Sequence, residues 1–329
     1  MSGLLYTASR DTTTGEVSFY DKAGNVLCAF TPQSGLVDDP TKPLYLLSRE
    51  AGSTVWLEGD TTYVDDNTFE TSPDGTTWTG QALGSANAIT LNRGDGVYIR
   101  ARVARTTTTT IVSQVPVCIM MTGTIEAYHN ANSMLSPDFA SITDLTTIGK
   151  NTLQGLFSPN TTSDTATARN TALVRAPLLP ATTLAPYCYN SMFLFCSNLT
   201  TPPTLPATTL AAYCYNNMFN QSGLTVAPAL PATVVVDSCY KRMLKACAFS
   251  VAPLLPATTL ARACYQYMFE GCSNLCEVRI AATTISASNA LSSWLAGVAA
   301  TGDFYCVEGV EYATDSANGI PTGWTRRTL

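Results

Sequence analysis

Histidine occurs once in these 329 residues, and charged side chains make up only 13% of the chain, about half the roughly 25% of ordinary globular proteins. A single imidazole leaves no histidine pair for a metal and one candidate general base, His129. It lies in Tyr128-His-Asn-Ala-Asn, which reads as a linker, so the expectation is a solvated loop histidine. No Gly-x-Ser-x-Gly occurs. No apolar run approaches the ~20 residues that span a bilayer, so no membrane insertion is expected. Positive charge is sparse as well: residues 176–286 carry 5 basic and 3 acidic side chains, no basic stripe forms, and nucleic acid is not an expected partner. The start Met1-Ser-Gly-Leu-Leu-Tyr-Thr has neither basic n-region nor apolar core, which reads as a chain without signal peptide, made in the cytoplasm.

Cysteine, by contrast, is plentiful, and it is periodic. Leu-Pro-Ala-Thr-Thr-Leu-Ala occurs at 179–185, 205–211 and 255–261, with a degraded copy, Leu-Pro-Ala-Thr-Val-Val-Val, at 230–236. Each is followed by Cys-Tyr-x-x-Met-Phe or a near variant, at Cys188–Phe193, Cys214–Phe219, Cys239–Leu244 and Cys264–Phe269. A period of about 25 residues marks a repeat array whose units bury their apolar sides only against one another. Cys188, Cys214, Cys239 and Cys264, with Met192, Met218, Met243 and Met268, read as the structural core ladder. The thiols are expected to be free, because stacked equivalents would point the same way and could not bridge.

Leu184, Cys188, Met192 and Phe193 lie at spacings of 4, 4 and 1, which predicts a helical apolar face, with a Thr of the preceding Thr-Thr pair as its cap. Pro177, Pro203, Pro228 and Pro253 remove one donor per repeat, so any ladder between the extended segments must be short or interrupted. Leu153-Gln-Gly-Leu156-Phe157 mimics Tyr-x-x-Met-Phe and marks an atypical first repeat from about Ile142, with 158–170 inserted as a loop.

Upstream, Val55-Trp-Leu, Thr68–Thr71, Thr76–Trp78, Ala88–Leu91, Val97–Val103 and Ile111–Met121 are short and rich in β-branched or aromatic residues, separated by turn signals. They predict a small β-sandwich. Ser72-Pro-Asp-Gly-Thr-Thr-Trp78 is close to a sialidase Asp-box, but its glycine comes one position early and a tight hairpin turn explains it. Glu16–Tyr20 and Val26–Phe30 flank a turn and predict an N-terminal hairpin. Trp294, Phe304, Tyr305, Tyr312 and Trp324 enrich the C-terminal part in large aromatics that suit an end cap. The organisation expected is therefore an attachment hairpin at 1–43, a sandwich at 44–126, repeats at 127–286 and a cap at 287–329.

The repeat unit, best seen in Phe193-Leu-Phe-Cys196-Ser-Asn-Leu199 and Phe269-Glu-Gly-Cys272-Ser-Asn-Leu275, resembles the BspA-like leucine-rich repeat over about 142–286. Gln221-Ser222 and Leu244 depart from that pattern. The tail Gly319-Ile-Pro-Thr-Gly-Trp324 and the upstream Ser-x-Asp-Gly-x-x-Trp also look like segments that accompany it. The resemblance implies an α/β leucine-rich-repeat solenoid and a surface protein: either a tailed-phage virion protein (head or tail fibre, or decoration) at the virion surface, or a bacterial cell-surface adhesin. Free thiols and an apparent lack of export signal favour the virion.

The expected partners are other virion proteins through the N-terminal segment, and a host-surface glycan or protein through the repeats. Homo-oligomerisation as dimer or trimer goes with that anchoring. No enzymatic activity, cofactor, catalytic residue or metal is expected. Cys264, Cys272 and Cys276 lack a Cys-x2-Cys knuckle, and Asp60, Asp65, Asp66, Asn67 and Glu70 fit no calcium loop. The candidate binding surface consists of the basic cluster Lys241, Arg242, Lys245 and Arg262, the aromatics Tyr187, Tyr213 and Tyr267, and Asn190, Asn216 and Asn217.

Overall fold

The structure, a computed structural model, describes residues 7–10, 17–20, 26–30, 36–59, 68–102, 104, 117–158, 170–315 and 318–329. It divides into two units, 1–38 and 39–329. In the first, β1 (Thr7–Arg10), β2 (Val17–Tyr20) and β3 (Val26–Phe30) form an antiparallel sheet in chain order. The expected hairpin is its β2–β3 half, in the register Phe19 opposite Cys28. The added strand, β1, places Ala8 opposite Phe19.

The second unit begins with two antiparallel layers. The strands are β4 (Leu44–Ser48), β5 (Ser53–Glu58), β6 (Phe69–Ser72), β7 (Thr79–Gln81), β8 (Ile89–Leu91), β9 (Gly96–Ala101), β10 (Cys118–Met121) and β11 (Ile125–Tyr128). One sheet has the order β10-β5-β8; the other runs β11-β4-β9-β6-β7 and gains β12 (Leu173–Arg175), parallel, beside β11. Period-two alternation drives both: Val97, Ile99 and Ala101 of β9 are buried while Gly96, Tyr98 and Arg100 between them are partly exposed. Thr76–Trp78, expected as strand, belongs to the β6–β7 turn instead. There the Asp74 carboxylate accepts from the Thr76 and Thr77 amides, each at 2.8 Å, and from the Ser72 hydroxyl. That is the tight hairpin turn predicted, and those bonds hold Asp74 well below the usual carboxylate range.

The α/β leucine-rich-repeat solenoid is not what forms. The described residues are mostly β-sheet and turn, and they contain no helix of seven residues or more. The short 3-10 turns at 85–87, 131–134, 139–141 and 145–147 are the only helical segments among them. Where the sequence predicts a helical face, the chain makes consecutive tight turns instead. Cys188, Asn190, Met192, Leu194 and Cys196 donate their amides three residues back, while Tyr187, Tyr189, Ser191, Phe193 and Phe195 donate to carbonyls of the next repeat. Tyr189 reaches Cys214 at 3.0 Å and Phe193 reaches Met218 at 2.9 Å. Every fourth residue takes a positive φ: Tyr187, Ser191 and Phe195, then Tyr213, Asn217 and Gln221, then Ser238, Arg242 and Ala246. A left-handed non-glycine residue costs about 1–2 kcal/mol. Each four-residue turn also gains two hydrogen bonds to the neighbouring coil, worth about 0.5–1.5 kcal/mol apiece, so the stack offsets a strain that one isolated coil could not. No Thr cap is needed, since there is no helix to cap; Thr183 bridges Thr209 and Thr259 bridges Thr284 between coils.

The coil recurs at 149–157 and again at 287–297, where Asn289, Ser293 and Gly297 hold the positive φ. Strands join it downstream: β13 (Val251–Leu255), β14 (Glu277–Ile280), β15 (Gly302–Cys306) and β16 (Trp324–Thr328) form a parallel sheet in chain order. The β13–β14 register shifts between Val251 and Leu254, around Pro253, where a donor is missing. The C-terminal aromatics are pinned by single bonds. Trp294 donates to the Gly319 carbonyl at 3.3 Å, Tyr312 to Ala282 at 3.1 Å and Trp324 to Ala299 at 2.7 Å.

Candidate functional site

A four-residue turn period sorts each coil into pairs that point in and pairs that point out. The inward pairs form columns through the stack. Cys188, Cys214, Cys239 and Cys264 are fully buried, as are Met192, Met218, Met243 and Met268. Beside them Tyr189, Tyr215, Tyr240 and Tyr265 stack ring on ring at 5.7, 5.7 and 6.0 Å, and Phe157, Phe193 and Phe219 stack at 5.4 and 5.3 Å. Stacked aromatic pairs add about 0.5–1.5 kcal/mol beyond their burial. The thiols are unbridged. Burial pushes Cys264 up to about 11 and Cys247 up to about 12, and raises Cys188, Cys214 and Cys239 well above the usual thiol range. Thiols held protonated in the core are poor nucleophiles.

The outward columns change from coil to coil. One column reads Asn190, Asn216, Lys241, Gln266; the next reads Ser191, Asn217, Arg242, Tyr267. Early in the array these positions are covered: Asn190 and Asn217 are buried, and half-buried Asn216 donates to the Asn190 carbonyl oxygen at 3.0 Å. Later they open.

Tyr187 and Tyr213 lie face to face with centroids 4.7 Å apart. In their column Ser238 and Ala263 follow, both small, so the aromatic pair ends in a step. Tyr267 stands in a different column and does not join them; the Arg242 guanidinium lies over its ring at 4.8 Å. The basic cluster is largely paired. Lys245 meets Glu270 at 3.0 Å, and Arg262 bonds to Asp237 in the preceding coil. Lys241 lies within the field of Arg242, Tyr213, Arg262 and Asp237; burial first, and Arg242 second, lower its pKa. Burial also raises the Tyr187 phenol, followed by the neighbouring Tyr213.

Sequence reasoning missed Asp237. The signal was present, because Asp237 and Arg262 stand 25 residues apart, one repeat period.

His129 corrects its expectation. It is buried rather than solvated, with φ of +64°. The amide of Asp39 donates to its Nδ1 at 3.1 Å, and its ring stacks on Tyr98. Of the acids weighed for calcium, Asp60, Asp65, Asp66 and Asn67 lie outside the described residues, and Glu70 pairs with Arg100 at 2.6 Å. Cys264 and Cys272 are buried while Cys276 is exposed, and among the described residues no three His, Cys, Asp or Glu side chains are grouped to hold a metal. No helix among them is long and apolar enough to cross a membrane. No protein-family model, curated protein or solved structure matches the chain.

Proposed function

We propose that this chain is a non-enzymatic surface protein of a tailed-phage virion, joined to other virion proteins through its N-terminal segment. In this reading the repeat stack presents its outward columns to a host-surface glycan or protein. The observation that carries the binding role is the division of each coil. Its inward columns repeat Cys, Tyr, Met and Phe almost unchanged, while its outward columns, apart from Asn190 and Asn216 and the Tyr187–Tyr213 pair, change from coil to coil. A framework that holds its core constant and varies its flank suits recognition rather than one fixed reaction. Virion placement rests on the resemblance of the repeat motif to BspA-like surface proteins, a resemblance of sequence and not of α/β fold.

The contact surface is the open part of the flank: the Tyr187–Tyr213 pair, Lys241, Arg242 and Tyr267, with Arg262 held by Asp237 at its border. Aromatic faces and a modest positive field suit a partially acidic glycan or protein surface. The test is binding of the purified full chain to host cells. Lys241→Glu with Arg242→Glu is expected to lower binding at least tenfold with an unchanged thermal midpoint. Undiminished binding by the double variant would remove this flank from the proposal.

A further inference from the structure

A second site lies in the β-sheet layers, away from the repeats. A cleft of about 530 Å3 opens between the end of one sheet and the face of the other, within the roughly 300–1,000 Å3 range of small-molecule sites. One wall is β8, whose residues Ile89–Leu91 all line the cleft. β8 ends its sheet, so on the side away from β5 it has no partner strand among the described residues. An unpaired strand edge offers both amide donors and carbonyl acceptors.

The opposite wall is built to stay put. Asp95 lies in the β8–β9 turn, its Oδ2 held by the Asn92 amide at 3.0 Å and the Asn92 side-chain amide at 2.9 Å. Its backbone carbonyl accepts from Ser48 at 2.9 Å. The Tyr45 phenol lies across Gly96 so closely that a Cβ there would overlap its hydroxyl. Tyr98 braces the ring from the side at 4.5 Å. No side chain among the described residues hydrogen-bonds the Tyr45 hydroxyl, and Tyr45 is half-buried at the cleft. Ser72 and Pro73 of the fixed hairpin turn complete the enclosure.

We propose that this cleft binds one neutral pyranose unit of a glycan. The Tyr45 ring and Pro73 take the C–H face of the sugar, the free Oδ1 of Asp95 accepts from a hydroxyl pair, and the edge of β8 bonds the remaining hydroxyls. The charge of the lining decides the class. Among the described residues it holds one carboxylate and no cation, so uronic acids, sialic acids and phosphates are disfavoured. The edge of β8 is three residues long, too short to hold an added peptide strand by backbone ladder alone. This site is independent of the virion reading.

The test is saturation-transfer NMR and calorimetry on the full chain. The probes are glucose, galactose, mannose, N-acetylglucosamine, glucuronic acid, N-acetylneuraminic acid and an extended Thr-Val-Thr-Val peptide. At least one neutral sugar is expected to bind with a Kd of roughly millimolar order, and neither acid should. Asp95→Ala should weaken that binding about tenfold or more, and Thr90→Arg, at an exposed position of β8, should abolish it by filling the cleft. Lys241→Glu with Arg242→Glu should leave it unchanged. The proposal is overturned if no neutral sugar binds, if the acids or the peptide bind instead, or if Asp95→Ala and Thr90→Arg both bind as the parent does.

Discussion

Burial holds each thiol of the coil core in its protonated form, so the folded chain is expected to lose stability in alkali. An unfolded cysteine ionises near pH 8.5, whereas burial pushes Cys264 up to about 11 and Cys247 up to about 12, with Cys188, Cys214 and Cys239 also raised. Their folded-state pKa is above the unfolded one. Below about pH 8 both states hold the proton and these groups give no pH dependence. Above about pH 9 the unfolded chain releases protons that the folded chain keeps, so stability falls as pH rises, by up to about 1.4 kcal/mol per pH unit for each such thiol. Urea unfolding should give a flat midpoint from pH 6 to 8 and a steep decline from 9 to 10.5. A flat profile through pH 10.5 would mean that the thiols are not buried as described. His129 is a second buried group whose setting comes from distant parts of the chain. Its place between Tyr98 and the Asp39 amide had no local signal in Tyr128-His-Asn-Ala-Asn, because its partners come from distant residues.

At the scale of the coil, one exchange of volumes ties two positions together. The phenylalanine column reads Phe193, Phe219, Leu244, Phe269, and the column that closes each repeat reads Leu199, Leu224, Phe249, Leu275. The third repeat has leucine and phenylalanine swapped, and Phe249 is buried with its ring edge-on to Phe269 at 6.2 Å. Leu244→Phe alone should overpack the core and cost about 1–3 kcal/mol. Phe249→Leu alone should leave a cavity of similar cost. The double variant should return to within about 0.5 kcal/mol of the parent, a coupling that a double-mutant cycle by urea unfolding measures directly. Additive losses would contradict the swap.

The same columns show what was legible beforehand. The Cys188, Met192 and Phe193 columns were readable from their recurrence; the buried Tyr189 column recurs as strictly but was not assigned to the core, and the Asp237–Arg262 pair was readable only in principle. The backbone was not. Leu184, Cys188, Met192 and Cys196 keep a strict spacing of four, which a helix of 3.6 residues per turn approximates over a short run. The left-handed residues at every fourth place include Tyr, Arg and Gln, which carry no propensity for that conformation. Only hydrogen bonds from the next coil select it, and those are invisible within one repeat. In the two-sheet part β5 and β9 were legible from their own alternation, whereas β4 and β11, buried along most of their length, gave no such signal. Thr76–Trp78 was placed in a strand that is a turn, and residues 111–116 of the expected Ile111–Met121 strand lie outside the described residues.

Across the whole molecule, chemistry-bearing groups are divided by depth. Most of the described thiols and the lone imidazole lie inside, Cys276 being exposed, and the charges lie nearer the surface, several of them in ion pairs. The flank of the stack and the Tyr45 cleft are two separate places where such a protein would touch something else. They are distinguishable because charge reversal at Lys241 and Arg242 should affect one and Asp95→Ala the other. The central claim concerns where the protein resides. Its most direct test is quantitative mass spectrometry of gradient-purified phage particles and, in parallel, of the envelope fraction of their host. The expected result is recovery of this chain with the particles, at many copies each. Its absence from the particles and recovery with the bacterial envelope would contradict the virion reading.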